Sequence, residues 1–165
     1  MAAPVRTVLA RPAAQHGRPA GKRGGNPVTY ARTGSISVDQ FIAAAPEKVW
    51  RALTDPELHA KWWVPGDVGP DVGPDVGHEF HLEMPGFGSI PCRVVESEPP
   101  VKLVYTFNDN WTLAWTLVAE GQGTRLLLNH SGFDLDDKRQ ADACERMGPG
   151  WRDGVLPRLA KLDLG

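Results

Sequence analysis

From Glu79 to His130 the chain alternates apolar and polar residues, and tight turns cut the alternation into short pieces. Phe80, Leu82 and Met84 alternate with Glu79, His81 and Glu83 before a Pro85-Gly86-Phe87-Gly88 turn. The stretch 89–98 follows and is closed by Pro99-Pro100. Leu103, Tyr105 and Phe107 then share one face up to the turn Asn108-Asp109-Asn110. Leu113, Trp115 and Leu117 share the next face, and Leu126, Leu128 and His130 the one after Gly121-Gln122-Gly123. Side chains in a strand alternate between faces, and clusters of Gly, Pro and Asn reverse the chain. The pattern predicts an antiparallel meander with one apolar face. Such a sheet needs a cover, and the cover must come from the rest of the chain.

Two segments precede the meander. Residues 35–42 alternate Ile36, Val38 and Gln40 against Ser37, Asp39 and Phe41, an imperfect strand. Residues 45–63 read as two short helices broken at Asp55-Pro56. Pro46 suits a first helical turn, where its missing N–H has no partner to lose. Val49, Trp50 and Leu53 recur at helical spacing, and Leu58, Trp62 and Trp63 continue after the break. At the other end, roughly 136–164 reads as helix, interrupted at Gly148-Pro149-Gly150 and kinked at Pro157. Trp151, Val155, Leu159 and Leu162 form its apolar stripe. This helix is the only element long enough to cover the sheet. The fold class predicted is therefore α+β, a curved antiparallel sheet wrapped around a long C-terminal helix, with two short helices after the first strand.

Charge divides the chain. Residues 1–33 carry Arg6, Arg11, Arg18, Lys22, Arg23 and Arg32 and no acidic residue, and are rich in Ala, Gly and Pro. They are expected to form a disordered basic tail, with one domain over 34–165. That domain holds all 20 acidic residues against the other 12 basic ones, a formal charge of −8. Phosphate neutralisation needs clustered Lys and Arg, so no nucleic-acid partner is expected. No stretch approaches the ~20 apolar residues of a membrane span, and no secretory signal is visible. Cys92 and Cys144 lack metal-ligand spacing and are expected as free thiols in a cytoplasmic protein. The repeat Asp67-Val-Gly-Pro-Asp-Val-Gly-Pro-Asp-Val-Gly77 is read as a duplicated surface loop, because its aspartate spacing fits no calcium motif.

Several pieces resemble one family. They are Ala-Pro-Glu-Lys-Val-Trp-Arg-Ala-Leu-Thr-Asp-Pro (45–56), Lys-Trp-Trp (61–63), Val-Gly-His-Glu-Phe (76–80) and Glu-Pro-Pro-Val-Lys-Leu-Val-Tyr (98–105). Trp-Thr-Leu (115–117), Gly-Thr-Arg-Leu-Leu-Leu-Asn-His-Ser-Gly-Phe (123–133) and Gly-Trp…Leu-Pro-Arg-Leu (150–159) complete the set. In this order they resemble the START-like helix-grip superfamily (SRPBCC), which includes polyketide-cyclase-like and birch-pollen-allergen-like proteins. The subgroup is the one named for the activator of the heat-shock protein 90 ATPase. The resemblance covers about 36–162 and implies a cavity between sheet and terminal helix.

Candidate chemistry is sparse. His130 faces inward with Leu126 and Leu128, and the family pattern has a His there. It reads as a pocket donor, a general base, or a buried His held by one hydrogen bond. His78 and His81 fall on opposite faces, and no carboxylate or thiol completes a metal set. Ser131 beside His130 makes no triad, and Cys92 reads as an inert buried thiol. Trp62, Trp63, Phe80, Tyr105, Phe107, Trp115 and Trp151 come from every element facing the helix. With His130 they are the candidate ligand-binding set, though a filled core would use the same residues. The expected function is binding of a small hydrophobic or aromatic molecule, with Tyr105 and His130 as polar anchors and no metal, cofactor or catalytic residue. A cyclase or dehydratase using the same cavity is the alternative. An interaction module of the chaperone-ATPase-activator kind is a third reading, for which no sequence feature supplies a protein partner.

Overall fold

The computed structural model of the chain describes residues 6–9, 32–68 and 74–165. Seven strands form one antiparallel sheet: β1 (Arg6–Leu9), β2 (Thr33–Ile42), β3 (Glu79–Met84), β4 (Gly88–Glu98), β5 (Lys102–Phe107), β6 (Trp111–Glu120) and β7 (Gly123–Asp134). Their order across the sheet is β1-β2-β7-β6-β5-β4-β3. The meander runs from β3 to β7, and β2 closes onto its last strand. The helices are α1 (Pro46–Thr54), α2 (Pro56–Trp62), α3 (Lys138–Pro149) and α4 (Leu156–Lys161). A π-helical segment, Gly150–Val155, joins the last two.

Period-two patterning places the core as expected. Ile36 and Val38 of β2, Phe80 and Leu82 of β3, Leu113, Trp115 and Leu117 of β6, and Leu126, Leu128 and His130 of β7 are all buried. Above them, Trp151, Leu156 and Leu159 of the terminal helix are buried too. Asp55 works both sides of the break between the short helices. Its backbone N–H donates to the Arg51 carbonyl at 2.7 Å, and its carboxylate accepts from the Glu57 N–H at 2.8 Å. A side-chain oxygen there satisfies a donor that no helical carbonyl can reach.

One irregularity positions the site. His130 and Phe133 lie three apart, so a regular strand would send them to opposite faces. Both are buried, with ring centroids 4.7 Å apart. The register with β2 jumps here: Ser35 pairs with Ser131, but Gly34 pairs with Phe133. Gly132 is the extra residue of a β-bulge, and it resets the parity of the strand. Its φ is +97°, and a Cβ there would sit 2.2 Å from the Asn110 carbonyl oxygen. Gly132→Ala should therefore cost about 2 kcal/mol or more in chemical denaturation. A loss under 0.5 kcal/mol would show that the bulge tolerates a side chain.

The structure corrects the sequence reading in three places. The helix is not broken at Gly148-Pro149-Gly150. The chain widens into a π-helical turn in which the Leu156 N–H donates to the Trp151 carbonyl. Pro157 lies at the head of α4, directly after the π-helical turn, and the helical run continues through it. Within the basic segment expected to be disordered, Arg6–Leu9 pairs with β2 as an edge strand, and the rest of 1–31 lies outside the described residues. In the Asp-Val-Gly-Pro repeat, 69–73 lie outside the described residues, but Val68 is fully buried and belongs to the core. That flank is not a plain surface loop.

Candidate functional site

A cavity of about 170 Å³ lies between the sheet and the terminal helix. Trp63 walls it from the end of α2, Met84 from β3, Phe107 from β5, Leu113 from β6 and His130 from β7. Met147, Gly150, Trp151 and Val155 close it from the helical side. The aromatic members are in mutual contact. Trp63 lies 4.8 Å from Trp151 and stacks on Phe107 at 6.4 Å, centroid to centroid. His130 meets Phe107 edge-on at 6.2 Å.

Four of the eight predicted residues, Trp63, Phe107, His130 and Trp151, thus line the cavity. The other four do not. Trp62 and Trp115 pack edge to face at 5.8 Å, and Trp62 donates its indole N–H to the Ala52 carbonyl at 2.8 Å, tying α2 to α1. Phe80 packs edge-on to Tyr105 at 5.1 Å. The Tyr105 hydroxyl accepts the Trp115 indole N–H at 3.1 Å, and its burial drives its pKa well above the ordinary phenol range. Tyr105 is a core residue and corrects the expectation of a polar anchor. The lining residues missed from sequence were partly visible there. Met84 and Leu113 were on the inward faces, and Met147 and Val155 flank Trp151 at four-residue spacing.

His130 supplies the polarity. It is 2% exposed, and its Nδ1 accepts the indole N–H of Trp151 at 3.2 Å. Its Nε2 has no hydrogen-bond partner; among the described residues only Trp50 Nε1 shares that condition. Desolvation holds the ring neutral, with its pKa lowered to about 3. The π-helical turn matters here. It aims Trp151 at both His130 and Trp63, and such turns recur at functional sites.

The cavity has a mouth. A second space of about 330 Å³ shares Met84, Phe107 and Met147 with the first and continues past Phe87, Trp111, Asn110 and Arg139. It lies between the β3–β4 hairpin tip, the β5–β6 turn and the start of α3. Phe87, 78% exposed at that tip, is the most exposed large apolar residue described.

The remaining candidates carry no site. The His78 ring stacks on Phe80 at 5.8 Å, and His81 is exposed. Burial pushes the Cys92 thiol up to about 12, which removes its nucleophilic form at neutral pH. Cys92 and Cys144 are free and buried.

An antiparallel sheet gripping a terminal helix over an apolar cavity defines a helix-grip protein of the START-like, SRPBCC superfamily. Residues 43–162 match the model of the family described as Activator of Hsp90 ATPase homolog 1-like protein, and the chain belongs to that family. Similar solved structures agree. Protein BH1534 from Bacillus halodurans is 34% identical, with 77% of this chain and 94% of that one covered and a TM-score of 0.67. Protein MLL2253 from Mesorhizobium loti is 29% identical, with 78% and 98% covered and a TM-score of 0.65. CalU16 from Micromonospora echinospora, 23% identical over 78% of this chain and 73% of its own, shares the fold at a TM-score of 0.59. No curated protein matches the sequence significantly.

Proposed function

We propose that this protein binds a small hydrophobic molecule in the cavity between the sheet and the terminal helix. The observation that carries the reading is the cavity itself, apolar on nearly every side and connected to a mouth. Close-packed cores leave few voids larger than a water molecule. A space of about 170 Å³ exceeds the ~150 Å³ of an engineered apolar cavity that stays dry and takes up benzene. Family membership and fold are compatible with ligand binding or cyclase-like chemistry, and because one fold hosts many site chemistries the site must decide.

A cyclase or dehydratase would need a poised base. His130 is poorly suited, because the Nδ1 lone pair already accepts from Trp151 and the ring resists protonation. The family's name points to a chaperone-ATPase role, but the cavity is lined by this chain's own elements and does not require a protein partner. Among the described residues no helix is long and apolar enough to cross a membrane. Free buried thiols support a cytoplasmic setting.

Titration with toluene, followed by tryptophan fluorescence, tests the reading. Saturable quenching is expected, because Trp63 and Trp151 wall the cavity. Leu113→Phe extends a buried wall residue and should abolish the response at a stability cost of about 1–3 kcal/mol, which leaves the protein folded. A linear, unsaturable response in the wild-type protein would overturn the proposal.

A further inference from the structure

We infer that the ligand is an uncharged ring compound carrying an oxygen acceptor, and that the acceptor receives a hydrogen bond from Nε2–H of His130. This inference rests on the binding reading above and deepens it. An indole N–H only donates, so the Nδ1 that faces Trp151 must hold a lone pair. A neutral imidazole with a bare Nδ1 carries its proton on Nε2. That N–H is buried, has no partner within the protein, and belongs to a residue that lines the cavity. Buried donors are rarely left unsatisfied, because an unpartnered one forfeits its hydration with nothing in return. The other orphan, Trp50 Nε1, belongs to a residue that lines none of the cavities described here. Of the two buried orphans, the histidine is the one whose residue lines the cavity.

The walls set the rest of the class. Apart from His130, the indole N–H it already uses and the indole N–H of Trp63, the side chains lining the inner cavity are apolar, and the cations and carboxylates lie outside, at Arg139 and Asp137 of the mouth. A carboxylate brought inside would be desolvated without a counter-charge. A ketone, aldehyde or ether oxygen loses far less water and meets the buried, unpartnered donor of His130. The volume fits a single ring, with any longer substituent passing between Met84 and Met147 into the mouth.

Three probes of one shape separate the possibilities. Acetophenone presents a carbonyl oxygen, α-methylstyrene replaces that oxygen by a CH₂, and benzoate replaces the methyl ketone by a carboxylate. Acetophenone should bind at least about tenfold more tightly than α-methylstyrene, although it is the less apolar of the two, and benzoate should bind most weakly. In ¹⁵N spectra of the wild-type protein, His130 should show a pyridine-type Nδ1 and a protonated Nε2. The Nε2 resonances should shift with acetophenone and not with α-methylstyrene. His130→Phe should erase the preference, and the wild-type spectra decide the matter should that variant fold poorly. Equal or tighter binding of α-methylstyrene, or tightest binding of benzoate, overturns the donor assignment while leaving a binding cavity in place. Failure of all three probes to bind overturns the cavity reading, and this inference with it.

Discussion

Trp115→Ala should lower the free energy of unfolding by about 3–5 kcal/mol, the largest loss expected from a single truncation in the core. Trp115 is fully buried on β6, beneath both short helices' end and the terminal helix. Its indole meets Trp62 at 5.8 Å and Trp151 at 5.7 Å, both edge to face, and Trp63 at 6.3 Å. Truncation removes these contacts together and leaves a cavity that fixed neighbours cannot refill. It also takes the hydrogen-bond donor from the buried Tyr105 hydroxyl. Trp115→Phe keeps most of the ring contact and loses the N–H, so it separates packing from the hydrogen bond. Urea denaturation reads both variants. A loss below 1 kcal/mol for Trp115→Ala would show that the aromatic cluster is loosely packed.

Acid should destabilise the fold through two buried histidines. His59, 1% exposed at the end of α2, donates from Nδ1 to the Val64 carbonyl at 2.6 Å. Burial lowers its pKa to about 4, as it lowers that of His130 to about 3. Both folded values lie below the ordinary histidine value, so the unfolded chain binds more protons over the interval between. Stability therefore rises with pH there. The full contribution is present above about pH 6.5 and is lost as pH falls towards 4 and 3. By pH 5 each histidine should cost roughly 2 kcal/mol. Unfolding free energies measured between pH 7 and 5 should fall by about 4 kcal/mol, and His130→Gln should remove about half of that slope. A flat profile over this range would mean that the two rings are hydrated in the native state.

Most of the fold was legible because period-two alternation is a direct record of which face is wet. Leu113, Trp115 and Leu117 could only point one way once the sheet had a single cover. The helices at 46–54 and 56–62 were legible from Pro46 and Asp55-Pro56, whose backbone chemistry is local. The site was half legible. Parity placed His130 inside, but the side chain that meets it depends on a π-helical turn, and no residue in Gly150–Val155 announces an i−5 hydrogen bond. Trp62 and Trp63 are adjacent and chemically identical, yet only Trp63 reaches the cavity, because α2 ends between them. Phe133 escaped for a similar reason, since the bulge at Gly132 reverses the alternation that strand reading relies on. Void volume was beyond reach altogether, because it is a small difference between large packed volumes.

Binding of a small hydrophobic molecule in the cavity is read most directly at Met84 and Met147, which line it and whose methyl groups report on it. With ¹³C-methyl-labelled methionine, titration with toluene should shift both resonances saturably with one shared dissociation constant, and Leu113→Phe should abolish both shifts. Methyl resonances that stay fixed up to the solubility limit of toluene, or that drift linearly and equally in the Leu113→Phe protein, would contradict it.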